Sequence, residues 1–151
     1  MEEITNPGIQ KDQVEKFQQT VEELKKKYAG VALFKITPRH HGPYVIRPQF
    51  LSDVRDVNKE LTEFLDKRLQ EYGGTSAIEK LPEDEQYEIQ REINNEYADK
   101  SNEIVLRQCV VYPEAFAENL KSGQVPAGLG PLLLDKIMEI SGWSDVDVEE
   151  V

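Results

Sequence analysis

The run from Ser52 to Tyr72 narrows most what this chain can fold into. It holds no glycine or proline, and Val54, Val57, Leu61, Phe64, Leu65, Leu69 and Tyr72 recur at the three- and four-residue spacings of one helical face. Ser52 is the expected N-cap, with Asp53 and Asp56 in the first turns, where carboxylates favour the helix dipole. Gly73-Gly74 supplies the stop. Such a helix, about six turns long, exposes an apolar stripe that other elements must cover.

The elements around it supply the cover. Residues 73–81 read as a flexible connector. A long helix is expected from Pro82, which suits a first helical position, with Glu83, Asp84 and Glu85 complementing its N-terminal dipole. Its apolar positions are Ile89, Ile93, Tyr97 and Ile104, then the denser Val105, Leu106, Cys109, Val110 and Val111. The thin first half is either solvent-facing or touched along one narrow seam, and Asn94, Asn95, Ser101 and Asn102 leave a break near Lys100 open. Tyr112-Pro113 stops this helix. A short one follows with Phe116 and Leu120 inward and Gly123 as its left-handed stop. After the loop Val125–Pro131, Pro131 opens a last helix whose Leu133, Ile137 and Ile140 share a face, closed by Gly142 and Trp143.

Before the central helix, Val31–Thr37 and Tyr44–Arg47 flank the breaker-rich Pro38–Pro43 and read as a β-hairpin with an irregular tip. Arg47, preceding Pro48, is pushed towards extended backbone. Leu33, Phe34, Ile36, Val45 and Ile46 are its core candidates. The hairpin needs helices to lie on, because two strands alone are marginal in water. At the N-terminus, Val14, Phe17, Val21, Leu24 and Tyr28 alternate spacings of three and four, so residues 1–30 form an amphipathic helix between Pro7-Gly8 and Gly30. Two heptads fall short of a coiled coil, leaving a helix laid on the chain's own core or one paired with another chain. The fold class is therefore α+β, mainly α-helical: one helical domain over residues 31–143 with a small β-hairpin (31–47), and an acidic, frayed tail over 144–151.

Charge bounds the function. The chain has 18 Lys and Arg against 29 Asp and Glu, a net −11. That field repels phosphate backbones and anionic lipid heads, so neither nucleic acid nor membrane is an expected partner. The apolar runs Val31–Phe34 and Cys109–Tyr112 are too short to span a bilayer, and Met1–Pro7 lacks a signal-peptide pattern; a cytoplasmic protein is expected. A hydrophobic fraction of 38% makes a lean core that a partner can complete.

Reactive groups do not converge in the sequence. Cys109 is its only cysteine, which excludes an internal disulfide and a thiolate zinc cluster, and its apolar neighbours should raise its pKa. His40 and His41 are adjacent on an extended loop and point apart. Asp145 and Asp147 lack the glycine and closing ligand of a calcium loop. Gly128 and Gly130 form a lone G-x-G without the strand that nucleotide binding requires. No cofactor, no metal and no enzymatic activity are expected; a small enzyme would need a convergent polar pocket.

The order of short motifs is more specific than any one of them. Tyr44-Val45-Ile46-Arg47-Pro48 leads into a capped helix. Cys109-Val110-Val111-Tyr112-Pro113-Glu114 follows, then Val125-Pro126-Ala127-Gly128, then Leu133 through Ile137 to Ser141-Gly142-Trp143. Over residues 44–143 this order resembles the small tail-assembly proteins of contractile-tailed bacteriophages, the group of baseplate-hub assembly factors and tail assembly chaperones. The N-terminal helix and the acidic helix after Pro82 carry none of these motifs. The resemblance implies a non-enzymatic protein-binding factor in virion assembly, with other phage tail proteins as partners. It leaves two roles open: a chaperone holding a hydrophobic component such as the tape-measure protein, in the host cytoplasm, or a permanent subunit of the baseplate or tail hub, in the virion. A homo-oligomer also stays open. Tyr112, Phe116, Leu129, Leu132 and Trp143 are the candidate contacts, each weighed against plain core packing.

Overall fold

A computed structural model describes residues 7–143 and 150, and divides the chain into two compact units, Met1–Leu33 and Phe34–Val151. The first unit holds helix α1, Pro7–Lys27, which takes in Pro7-Gly8 because proline is tolerated in a first turn. Lys25, Lys26 and Lys27 occupy its last turn, where cations suit the dipole. Gly30, at φ 81°, turns the chain.

The second unit is mainly helical, with a three-stranded antiparallel sheet. Helix α2 spans Leu51–Glu71. Its N-cap is Phe50, not Ser52: the Asp53 carboxylate reaches back to accept the Phe50 N–H at 2.8 Å, so the cap is served from inside the helix. At the far end Gly74 N–H donates to Leu69 O at 2.9 Å and Gly73 N–H to Gln70 O at 3.0 Å, a Schellman closure that Gly73 permits at φ 88°.

Residues 73–81 are not a plain connector. They carry the short helix α3, Thr75–Glu79, tied to the next element where Gln86 Nε2 donates to the Glu79 and Leu81 carbonyls. Helix α4 runs Glu83–Cys109 without a break at Lys100. It is antiparallel to α2: Gln108 bonds the Asp53 carbonyl near one end, and Arg68 reaches Glu96 at 2.6 Å towards the other. The narrow-seam alternative holds for its first half, where Ile93 is buried and Ile89 and Tyr97 are half-buried.

The end of α4 differs from expectation. Val110 and Val111 leave the helix and, with Tyr112, form strand β3 (Val110–Tyr112) beside β2 (Tyr44–Ile46), which also pairs with β1 (Phe34–Ile36). The hairpin is thus two-thirds of a sheet. Phe34 faces Ile46 and Ile36 faces Tyr44; Val45 faces Tyr112 and Ile46 faces Val110, with an irregularity between Val45 and Ile46. Two β-branched valines before an X-Pro pair favour extended backbone, and the open edge of β2 rewards it with ladder hydrogen bonds. Of the strand residues proposed for the core, Val45 and Ile46 are buried and Ile36 packs at its border; Phe34 is exposed, and Leu33 lies outside both strand and core.

Helix α5, Phe116–Lys121, ends at Gly123, whose φ is 76°. Helix α6, Leu129–Ile140, starts two residues before Pro131, which therefore sits in the first turn, where a missing N–H costs nothing. Leu133 and Ile137 of α6, Ile104 and Cys109 of α4 and Ile46 of β2 are the most deeply buried side chains. Val57 and Leu61 close the core from α2. The acidic tail expected over 144–151 lies outside the described residues except at Glu150.

Candidate functional site

The structure does not bring the five candidate contacts together. Phe116 and Leu129 are core residues; Phe116 packs edge-on against the Tyr44 ring, centroids 6.0 Å apart. Tyr112 is half-buried in β3. Leu132 is exposed, but in the first turns of α6, the end opposite Trp143. Trp143 is exposed and is tied to the segment that carries the exposed Phe50 and Leu51.

Trp143 is 61% exposed yet held. Its N–H donates to Met138 O at 3.2 Å, and its indole Nε1–H donates to Gln49 Oε1 at 3.2 Å. Gln49 is itself buried, and its N–H donates to Ser141 Oγ at 2.8 Å. The segment before α2 is thereby stitched to the end of α6, across more than ninety residues of sequence. Beside Gln49 in the chain come Phe50, 44% exposed, and Leu51, 68% exposed. An aromatic, an aliphatic and an indole thus stand in water at one junction. Sequence reasoning missed Phe50 and Leu51. The available signal was Phe50 itself, since the N-cap position ordinarily holds a short polar residue.

Beneath the junction lies a polar base. Arg47 grips Asp53 with two hydrogen bonds, 2.7 and 3.0 Å, and donates to Pro48 O at 2.9 Å; its guanidinium stands 5.8 Å from the Phe50 ring centroid. The hydrogen bond from Arg47 holds the Asp53 carboxyl below its ordinary range, helped by the Phe50 N–H and the Arg47 charge and opposed by burial. Gln108 Nε2 donates to the Asp53 carbonyl at 3.0 Å. The turn from Arg47 to Asp53 is therefore held by side-chain hydrogen bonds.

A separate concavity of about 260 Å³ opens between α2, α3 and α4. Leu69, Ile78, Ile89 and Ile93 line it with the neutral Thr75, Gln86, Gln90 and Asn94. None of its lining residues is charged, and none was a candidate from sequence.

His40 and His41 stand exposed in the β1–β2 loop, and among the described residues no three His, Cys, Asp or Glu side chains gather as a metal ion would require. Cys109 is fully buried at the end of α4, and burial pushes its thiol up to about 11, with the Asp53 charge adding to the shift and the Arg47 charge opposing it. The thiol should therefore resist alkylation at about pH 8 in the native protein and react readily in denaturant, since both access and thiolate fraction are restored there. Stoichiometric labelling of the native protein within minutes, read by mass, would contradict this burial.

Among the described residues no helix is long and apolar enough to cross a membrane. No protein-family model, curated protein or solved structure matches the chain.

Proposed function

We propose that the chain is a non-enzymatic protein-binding factor of contractile phage tail assembly, a chaperone that holds an apolar segment of a tail component such as the tape-measure protein. The observation that carries the binding role is the held, exposed Trp143 beside Phe50 and Leu51. A tryptophan already fixed by Gln49 loses little freedom when a partner covers it, so more of the burial free energy appears as affinity. Tryptophan is also the residue type most enriched among side chains whose truncation abolishes binding. The tail-assembly context rests on the motif order over residues 44–143, and the net −11 keeps a molecule with exposed apolar groups soluble.

Co-expression with contractile-tail proteins, the tape-measure protein among them, followed by affinity capture, tests the proposal. The wild-type chain should retain a tail protein. Trp143→Ala should weaken that capture by roughly thirtyfold, the loss typical of a central anchor. Failure to retain any tail protein would count against the reading. Mass spectrometry of purified particles then separates the roles: a chaperone is absent from them, a permanent subunit is present.

A further inference from the structure

The concavity between α2, α3 and α4 has walls that are tied to one another. Arg68 of α2 bonds Glu96 of α4 at 2.6 and 3.2 Å, and Gln86 of α4 holds the end of α3 through the Glu79 and Leu81 carbonyls. Inside, Ile93 is buried, while Leu69, Ile78 and Ile89 stay half-buried. Gln90 and Asn94, exposed and one turn apart on α4, offer amide donors and acceptors to a peptide main chain. The volume of about 260 Å³ falls short of the ~300–1,000 Å³ of sites that enclose a drug-sized molecule. It suits one or two aliphatic side chains.

The charge around it has one sign. All the lining residues fall between Leu69 and Asn94, and that stretch carries seven Asp and Glu against two Lys and Arg, every one of them exposed. Arg68, at its edge, cannot balance them. It already meets Glu71 at 2.5 Å, Glu96 at 2.6 Å and Glu92 at 3.8 Å, three carboxylates on one guanidinium. A neutral, apolar interior thus sits in an acidic surround.

We infer that this concavity docks a basic peptide segment of a partner protein. One or two aliphatic side chains enter between Leu69, Ile78, Ile89 and Ile93, and flanking Lys or Arg meet the exposed carboxylates. An acidic segment with the same anchors meets like charge and is rejected. A second copy of this chain, at net −11, is repelled in the same way. The site is independent of the surface at Trp143. Leu51 and Leu69 lie about 27 Å apart along α2, well beyond the Debye length of about 8 Å at physiological salt.

Calorimetric titration of the full chain with two synthetic peptides tests this. Both carry the same two leucines; one is flanked by Lys and Arg, the other by Glu. The basic peptide should bind at least about tenfold tighter, and raising salt from about 0.05 M to about 0.5 M should remove most of that difference. Gln90→Trp, a bulky side chain at the exposed mouth, should weaken the basic peptide at least about tenfold and leave the urea midpoint unmoved. A chain carrying Glu79→Gln, Glu88→Gln and Glu92→Gln should bind both peptides alike. Trp143→Ala should keep the full preference for the basic one. Equal affinity of the wild type for both peptides, or for neither, overturns the inference and leaves the surface at Trp143 untouched. A preference that survives Gln90→Trp and vanishes in Trp143→Ala also overturns it, by moving the basic segment to that other surface. Self-association of the free chain in sedimentation, abolished by Gln90→Trp, would give the cavity to a second copy instead.

Discussion

Leu133→Ala is expected to lower the free energy of unfolding by about 2–5 kcal/mol, while Leu132→Ala, one residue earlier, should cost less than about 1 kcal/mol. Leu133 is 0% exposed and belongs to the core with Ile137, Leu129 and Ile104; Leu132 is turned outward on the same helix. Truncating Leu133 forfeits the transfer free energy of the lost methyl groups and leaves a void that packed neighbours fill only in part. Truncating Leu132 mainly alters contact with water. For a domain with about 5–15 kcal/mol of stability, the first change is a large fraction of the whole. Urea denaturation decides the matter: the midpoint should fall sharply for Leu133→Ala with the slope unchanged, and hardly move for Leu132→Ala. Equal losses would mean that α6 presents a different face to the core. The comparison also bears on the surface site, because α6 ends where Ser141 and Trp143 meet Gln49.

Much of this architecture was legible because the helical stripes are long and their stops are strong. Gly73-Gly74, Gly123 and Gly142 each take the positive φ that a glycine stop implies. Val54 through Tyr72 needed only the spacing. What failed was local competition decided by tertiary partners. Cys109 to Tyr112 is a short apolar run that a helix or a buried strand can use equally, and spacing alone places Val110 and Val111 on the helix. The β2 edge converts its last two valines to strand, and the signal for that was present in Val110-Val111 followed by Tyr112-Pro113. Residues 75–79 looked like a linker because helices of five residues have no periodicity to read; Gln86, from the following helix, ties their end. The candidate site was legible only at Trp143. Phe116, expected inward on its short helix, and Leu129 are both core residues, so plain packing accounts for them. Phe50 and Leu51 fall ahead of Ser52, the first good cap in the sequence, whereas Asp53 caps the helix from three residues beyond Phe50.

The Arg47–Asp53 pair beneath Phe50 should be as costly to break as the core. Arg47→Ala is expected to destabilise the protein by about 2–4 kcal/mol at about pH 7, because it leaves the Asp53 carboxylate largely removed from water with its charge unmatched. The two side chains are 14% and 13% exposed, so solvent screening is weak at this pair. The pH dependence follows from the direction of the Asp53 shift. In the wild type its folded pKa lies below the ordinary 3.8, so the stabilisation is fully present above about 3.8 and is lost as pH falls through the lower folded value. In Arg47→Ala the depressing partner is gone and burial dominates, which pushes the carboxyl up and makes protonation relieve the folded state. The stability gap between wild type and variant should therefore be widest at neutral pH and narrow as pH falls below about 4. Urea midpoints at about pH 7, 5 and 3 measure it. A gap that stays constant would show that Arg47 acts through packing on Pro48 and Phe50, with its charge irrelevant. Because Asp53 also accepts the Phe50 N–H, the variant should also hold Phe50 and Leu51 less firmly, read as faster amide exchange at the start of α2.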